Sequence, residues 1–152
     1  MRLTELHLKA FGPFTDQVLH LGASGQRLVL VHGFNEAGKS STLRAIAGLR
    51  FGIPTRTTDK FLHDYQQMRI GGVFTDAQGN SYSLMRRKGS GVTLKFADFQ
   101  NGGIELPLPI PPAVHRLLTG GLSVEDYESM FGLDHKILRK GGSALAKGEV
   151  PL

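Results

Sequence analysis

The chain contains no cysteine. A disulfide framework and a thiolate metal site are therefore both unavailable to it, and an intracellular address is favoured without secretion being excluded. No apolar run approaches the ~20 residues of a membrane span. The opening residues, Met1 to Leu6, lack the basic stretch followed by an apolar stretch that marks a secretory leader. The expected location is the cytoplasm. Internal repeats and coiled-coil heptads are absent. The histidines at 7, 20, 32, 115 and 135 show no H-x-x-x-H or comparable spacing, so the pattern gives no zinc site.

What is present fits one domain: 152 residues with 18 Lys and Arg against 13 Asp and Glu, a net charge of +5. Such a length buries about two-thirds of the surface of the unfolded chain. The positive balance permits phosphate-rich partners, and equally describes an ordinary soluble surface.

The most informative run is Gly33 Phe34 Asn35 Glu36 Ala37 Gly38 Lys39 Ser40, which matches the phosphate-binding pattern G-x-x-x-x-G-K-[ST]. Its setting matters as much as its letters. Arg27 to Val31 is a continuous apolar, β-branched stretch of the kind that forms a strand buried on both faces. Thr42 to Phe51 places Leu43, Ile46, Ala47 and Leu49 at helical spacing. Strand, loop and helix thus follow in the required order. Without a Cβ, Gly33 and Gly38 let the backbone bring its N–H groups close to phosphate oxygens. The nucleotide-binding set is Gly33, Asn35, Glu36, Ala37, Gly38, Lys39, Ser40 and Ser41. Lys39 carries its charge to the β- and γ-phosphates as the catalytic cation, and Ser40 offers a hydroxyl to Mg²⁺. The expected ligands are ATP and Mg²⁺.

Before the loop, alternation over Glu5 to Ala10 predicts a half-buried strand ended by the turn Phe11 Gly12 Pro13 Phe14. A second strand is expected over Gln17 to Leu21, with Gly22 to Gly25 as a tight connection. Residues 1–51 form the phosphate-loop unit, and 52–67 a polar loop. Residues 68–98 form an antiparallel meander of three strands, Arg69 to Thr75, Ser81 to Lys88 and Val92 to Ala97. Tyr82, Leu84, Val92, Leu94 and Phe96 share its apolar face. Residues 99–140 are a connector with short helices, at Ala113 to Leu118 and from the N-cap Ser123 through Met130. Residues 141–152 are a tail without an end-of-domain signal.

Three separated motifs carry a family resemblance: Asn35 to Thr42, Phe61 Leu62 His63 Asp64 Tyr65, and Phe131 Gly132 Leu133 Asp134 His135. With Phe11 to Phe14, Arg86 to Gly89 and Gly141 Gly142 in the same order, the chain resembles the YhaN-like AAA family of the SMC, SbcC, RecF and RecN group over essentially its whole length. The resemblance implies the N-terminal lobe of a P-loop NTPase head, an α/β fold of ABC/SMC type. A coiled coil follows this segment in such proteins, and a C-terminal lobe returns with the acidic Walker B strand, the signature motif and the switch histidine. ATP hydrolysis is then expected only when that lobe and a second head complete the site. Phe34 stands where the family usually has proline. Asp134 falls where the wider group has its Q-loop glutamine, so it is a candidate catalytic and Mg²⁺-binding carboxylate, or alternatively a helix cap.

The same likeness brings His63 and Asp64 near the phosphates, to touch nucleotide or partner head or simply to fix their loop. Arg50 and Arg56 follow the nucleotide helix, either as phosphate or DNA sensors or as a solvated helix end. Arg69, Arg86, Arg87, Lys88 and Lys95 are candidates for DNA backbone contact, against the alternative of a hydrated sheet face. The implied partners are the C-terminal lobe, a second head, DNA and a nuclease subunit, and the implied role is DNA repair or chromosome maintenance. Two rival readings are a stand-alone kinase or GTPase, which lacks an N-K-x-D motif and an arginine-rich lid here, and a non-catalytic DNA- or partner-binding module with a vestigial loop.

Overall fold

The structure, a computed structural model, describes residues 1–22, 28–132 and 135–148. Strand β1 (Arg2–Phe11) turns through Gly12 and Pro13 into β2 (Phe14–His20), with Phe11 opposite Phe14 closing a two-residue hairpin. The chain next forms helix α1 (Lys39–Phe51) and then a meander of β3 (Arg69–Thr75), β4 (Ser81–Arg87), β5 (Leu94–Asp98) and the short β6 (Ile104–Glu105). All six described strands join one antiparallel sheet in the order β2-β1-β3-β4-β5-β6.

One face of this sheet is covered by α1. Period-2 alternation sends Leu6 and Leu8 of β1, Ile70 and Phe74 of β3 and Leu84 of β4 into a core with Ala45 and Leu49 of α1. Helix α2 (Pro112–Thr119) adds Val114 and Leu118 to the same core. Burying a side chain such as Leu49, fully hidden here, contributes about 2 kcal/mol.

Two adjacent glycines in β3 set how close its neighbours come. A Cβ on Gly72 would stand 2.7 Å from Leu49 Cδ2, and one on Gly71, facing the other way, would stand 2.5 Å from the Phe99 ring. Phe99 in turn stacks on His7 with ring centroids 3.8 Å apart. The central strand is therefore bare so that a helix can press on one face and an aromatic pair can close over the other.

Val92, expected on the apolar face of the meander, precedes β5 and is 72% exposed; two further expectations need correction. The stretch expected as the third, buried strand is neither: residues 28–31 form no strand, and Leu28 and Leu30 are 86% and 80% exposed. An apolar run reports a preference for cover, and no described strand lies beside this one. Arg27 and the expected turn residues 23–25 lie outside the described residues, as do Asp134 and residues 149–152.

The second correction concerns Arg86. It is 7% exposed, on the same sheet face as Leu84, and its guanidinium donates to the Leu49 and Arg50 carbonyls and to Thr93 Oγ1 at 3.1–3.2 Å. Burial pushes its pKa down to about 10, which leaves it a cation at neutral pH. A cation at the C-terminal end of α1 satisfies carbonyls the helix leaves open and opposes its dipole. Arg86 is a helix clasp and has no surface from which to meet DNA.

Residues 122–152 form a second compact unit. Within it, Ser123 caps α3 (Val124–Phe131) by accepting from Asp126 N at 3.1 Å, and α4 (His135–Ala146) follows. Met130 and Phe131 remain more than half exposed.

Candidate functional site

The phosphate loop leads directly into the first turn of α1. Glu36 and Gly38 both adopt left-handed conformations, with φ of 67° and 91°, and Ala37 between them does not. Such alternation turns successive backbone N–H groups toward one side and makes an anion nest at the positive end of a helix. Glu36, exposed in the loop, takes this conformation although it has a Cβ, a local strain that phosphate-binding turns store. At Gly38 only glycine fits, since Pro13 and Phe14 crowd the space a Cβ would need.

Lys39 reaches back across the loop. Its ammonium donates to the carbonyls of Gly33 at 2.5 Å and Phe34 at 2.7 Å. The charge is thereby parked over the nest it would serve. Ser40 is exposed at the helix start, while Ser41 and Thr42 are buried. Thr42 Oγ1 donates to the Gly38 carbonyl at 3.0 Å, and Ser41 Oγ donates inward to Asp59 Oδ1 at 2.7 Å. Ser41 can thus address a ligand through its backbone only.

Asp59 was not distinguishable from its polar loop by sequence. It is fully buried, accepting from Ser41 and from Arg44 Nε and Nη2 at 2.7 and 2.8 Å, and its carbonyl accepts from Gly12 N at 3.0 Å. One residue therefore ties together the nucleotide helix, the β1–β2 turn and the 52–67 loop. A charge that deep is tolerated because a cation and a hydroxyl meet it.

His63 acts from the same loop. Its Nε2 donates to the Phe14 carbonyl at 3.0 Å and lies 2.9 Å from Thr15 Oγ1, so it fixes the loop against the β1–β2 hairpin. Asp64 is exposed, 3.9 Å from Lys60. Arg50 donates to the Leu118 carbonyl at 2.6 Å and faces the Phe74 ring, so it serves packing between α1 and α2. Arg56 is exposed.

The basic meander is largely committed to its own fold. Arg69 and Lys95 both pair with Glu105, at 3.1 and 3.5 Å, and Lys88 lies 4.4 Å from the centre of the Tyr65 ring. Arg87 donates to the Val92 carbonyl at 3.3 Å.

Around the loop opens a pocket of about 450 Å³ lined by Pro13, Asn35, Glu36, Gly38, Lys39, Ser40, Ser41 and Phe61. That volume suits a nucleotide-sized ligand. Among the described residues no group of three or more His, Asp or Glu is placed to hold a metal ion by itself. The exposed Ser40 hydroxyl is available to a hard cation beside phosphate oxygens and water, and the other expected ligand, Asp134, lies outside the described residues.

A backbone nest at a helix start, with a lysine over it and a serine hydroxyl beside it, defines a nucleotide-binding domain of the P-loop class. Comparison with known families agrees: a model described as an AAA domain matches residues 1–151. The chain belongs to that family, within the AAA/ABC-type ATPases, and membership implies nucleotide binding, typically with Mg²⁺. No curated protein matches the chain. Among the described residues, no helix is long and apolar enough to cross a membrane.

Proposed function

We propose that this chain is the ATP-binding lobe of an SMC/SbcC-like, YhaN-type ATPase, completed by a second lobe and working through head engagement in DNA repair or chromosome maintenance. The observation that carries the reading is the exposed apolar run at Leu28, Val29, Leu30 and Val31, immediately ahead of a formed phosphate loop. Such a segment, paired with no described strand, offers backbone and apolar side chains together, the features that recruit neighbouring strands. Strands supplied by a C-terminal lobe would cover it and extend the site, bringing the acidic residue that activates water.

ATP binding in this scheme does mechanical work. Two heads closing on nucleotide and parting after hydrolysis would move coiled coils, and with them bound DNA or a nuclease subunit. The test is calorimetry of Mg-ATP with the chain, repeated with the C-terminal lobe of the complete protein added. Binding by the chain without turnover, turnover on addition of the lobe, and loss of both in Lys39→Ala are the expected results. Turnover by the chain alone would instead mark a self-sufficient phosphotransfer enzyme.

A further inference from the structure

Six of the eight described residues lining the pocket belong to the phosphate loop and the start of α1; the other two, Pro13 and Phe61, carry no hydrogen-bonding side chain. Phe61 is 58% exposed. An exposed ring on a loop is ordinarily free to wander, but here the chain is pinned on both sides. Two residues earlier, Asp59 is locked to Ser41, Arg44 and Gly12. Two residues later, His63 is held by the Phe14 carbonyl and Thr15. Pro13 follows Gly12, whose N–H is held by the Asp59 carbonyl, and lies close against Gly38, its Cγ 3.0 Å from where a Cβ there would lie. An aromatic face and a proline ring are thus held ready at the rim of a polyphosphate nest.

We infer that Phe61, with Pro13, is the platform for the nucleobase, and that this chain grips the base by its face without reading its edge. The inference rests on the phosphate-loop reading of the site. Every base has a π-face, whereas bases differ in the donors and acceptors along their edges. Telling ATP from GTP needs polar groups aimed at that edge, and such groups discriminate strongly where they exist. Among the described residues, the polar side chains lining this pocket all lie in the loop and first helical turn, where the phosphates bind. Phe61 contributes affinity without selecting one base over another.

Calorimetry of the full chain with Mg-ATP, Mg-GTP and magnesium tripolyphosphate separates the two layers of the argument. ATP and GTP are expected to bind within about tenfold of one another, each more tightly than tripolyphosphate, and Phe61→Ala should weaken both nucleotides about tenfold while leaving tripolyphosphate unchanged. Phe61→Tyr, which keeps the face, should bind like the parent. A preference for ATP beyond about tenfold would overturn the inference, because it requires edge recognition. So would an unchanged affinity in Phe61→Ala, or an equal loss for tripolyphosphate. If the parent chain binds none of the three ligands, the phosphate-loop reading itself fails; if it binds tripolyphosphate as well as ATP, only the platform does.

Discussion

The Phe14 ring fills the place that a side chain on Gly38 would take: a Cβ there would stand 2.4 Å from Phe14 Cζ. The hairpin turn thereby braces the phosphate loop from behind, and the loop's second fixed glycine answers two demands at once, a φ of 91° and an absence of bulk. Gly38→Ala is expected to destabilise the chain by about 2–4 kcal/mol, summing left-handed strain and overpacking. In a Phe14→Ala background the closest clash is gone and only the Pro13 Cγ contact at 3.0 Å remains, so the added cost of Gly38→Ala should shrink toward the strain, a non-additivity that urea denaturation of the four variants would reveal.

Asp59→Ala removes the acceptor shared by Ser41 and Arg44 and leaves both donors facing a cavity. Because the Arg44 side chain is 48% exposed and can turn to solvent, the expected loss is about 2–3 kcal/mol, less than the roughly 3–5 kcal/mol of a fully buried pair. The loss should also free the 52–67 loop. Faster amide exchange at residues 60–65, beyond what the fall in global stability explains, is the measurement that distinguishes a loop anchor from a general core contact.

Legibility in the sequence tracked how local each cause was. The hairpins were readable because Gly12-Pro13 and Ala77 Gln78 Gly79 Asn80 encode their own turns, and the loop Gly33 to Ser40 because backbone conformation and anion binding constrain the same letters. Leu28 to Val31 misled for the opposite reason. Its composition states a need for cover, and composition cannot say which chain meets it. Arg86 was misplaced because a basic residue on an apolar face reads as surface until the carbonyls at the end of α1 are seen to surround it. Asp59 gave no signal at all, since its partners Ser41 and Gly12 lie 18 and 47 residues away in sequence and only the folded hairpin brings them together.

Asp76 gives a pH test of the meander. The Asn80 side chain donates to its Oδ2 at 2.9 Å, and the backbone N–H groups of Asn80 and Gln78 donate to Oδ1 at 2.8 and 3.0 Å. These bonds, the Asn80 side chain foremost, favour the carboxylate and hold the pKa below its ordinary 3.8. A lowered folded pKa means that the unfolded chain binds more protons in acid. The stabilisation is therefore complete above pH 3.8 and is lost as pH falls through the folded value. Asn80→Ala should raise the Asp76 pKa in a carboxyl NMR titration and flatten the acid limb of the stability curve. An unmoved titration would show that the backbone donors suffice.

Leu28 and Leu30 separate folding of this chain from completion of its site. Both side chains stand in solvent, so replacing them with aspartate removes no packed contact, and the unfolding free energy should change by no more than about 0.5 kcal/mol. If strands from a second lobe pair with this run, the same double variant buries two carboxylates in a sheet, at a cost large enough to prevent assembly. Association with the C-terminal lobe, followed by analytical ultracentrifugation, should vanish while tripolyphosphate binding by the chain persists. A variant that instead unfolds would show that the run is already packed in the free chain, and a variant that still assembles would show that the second lobe docks elsewhere.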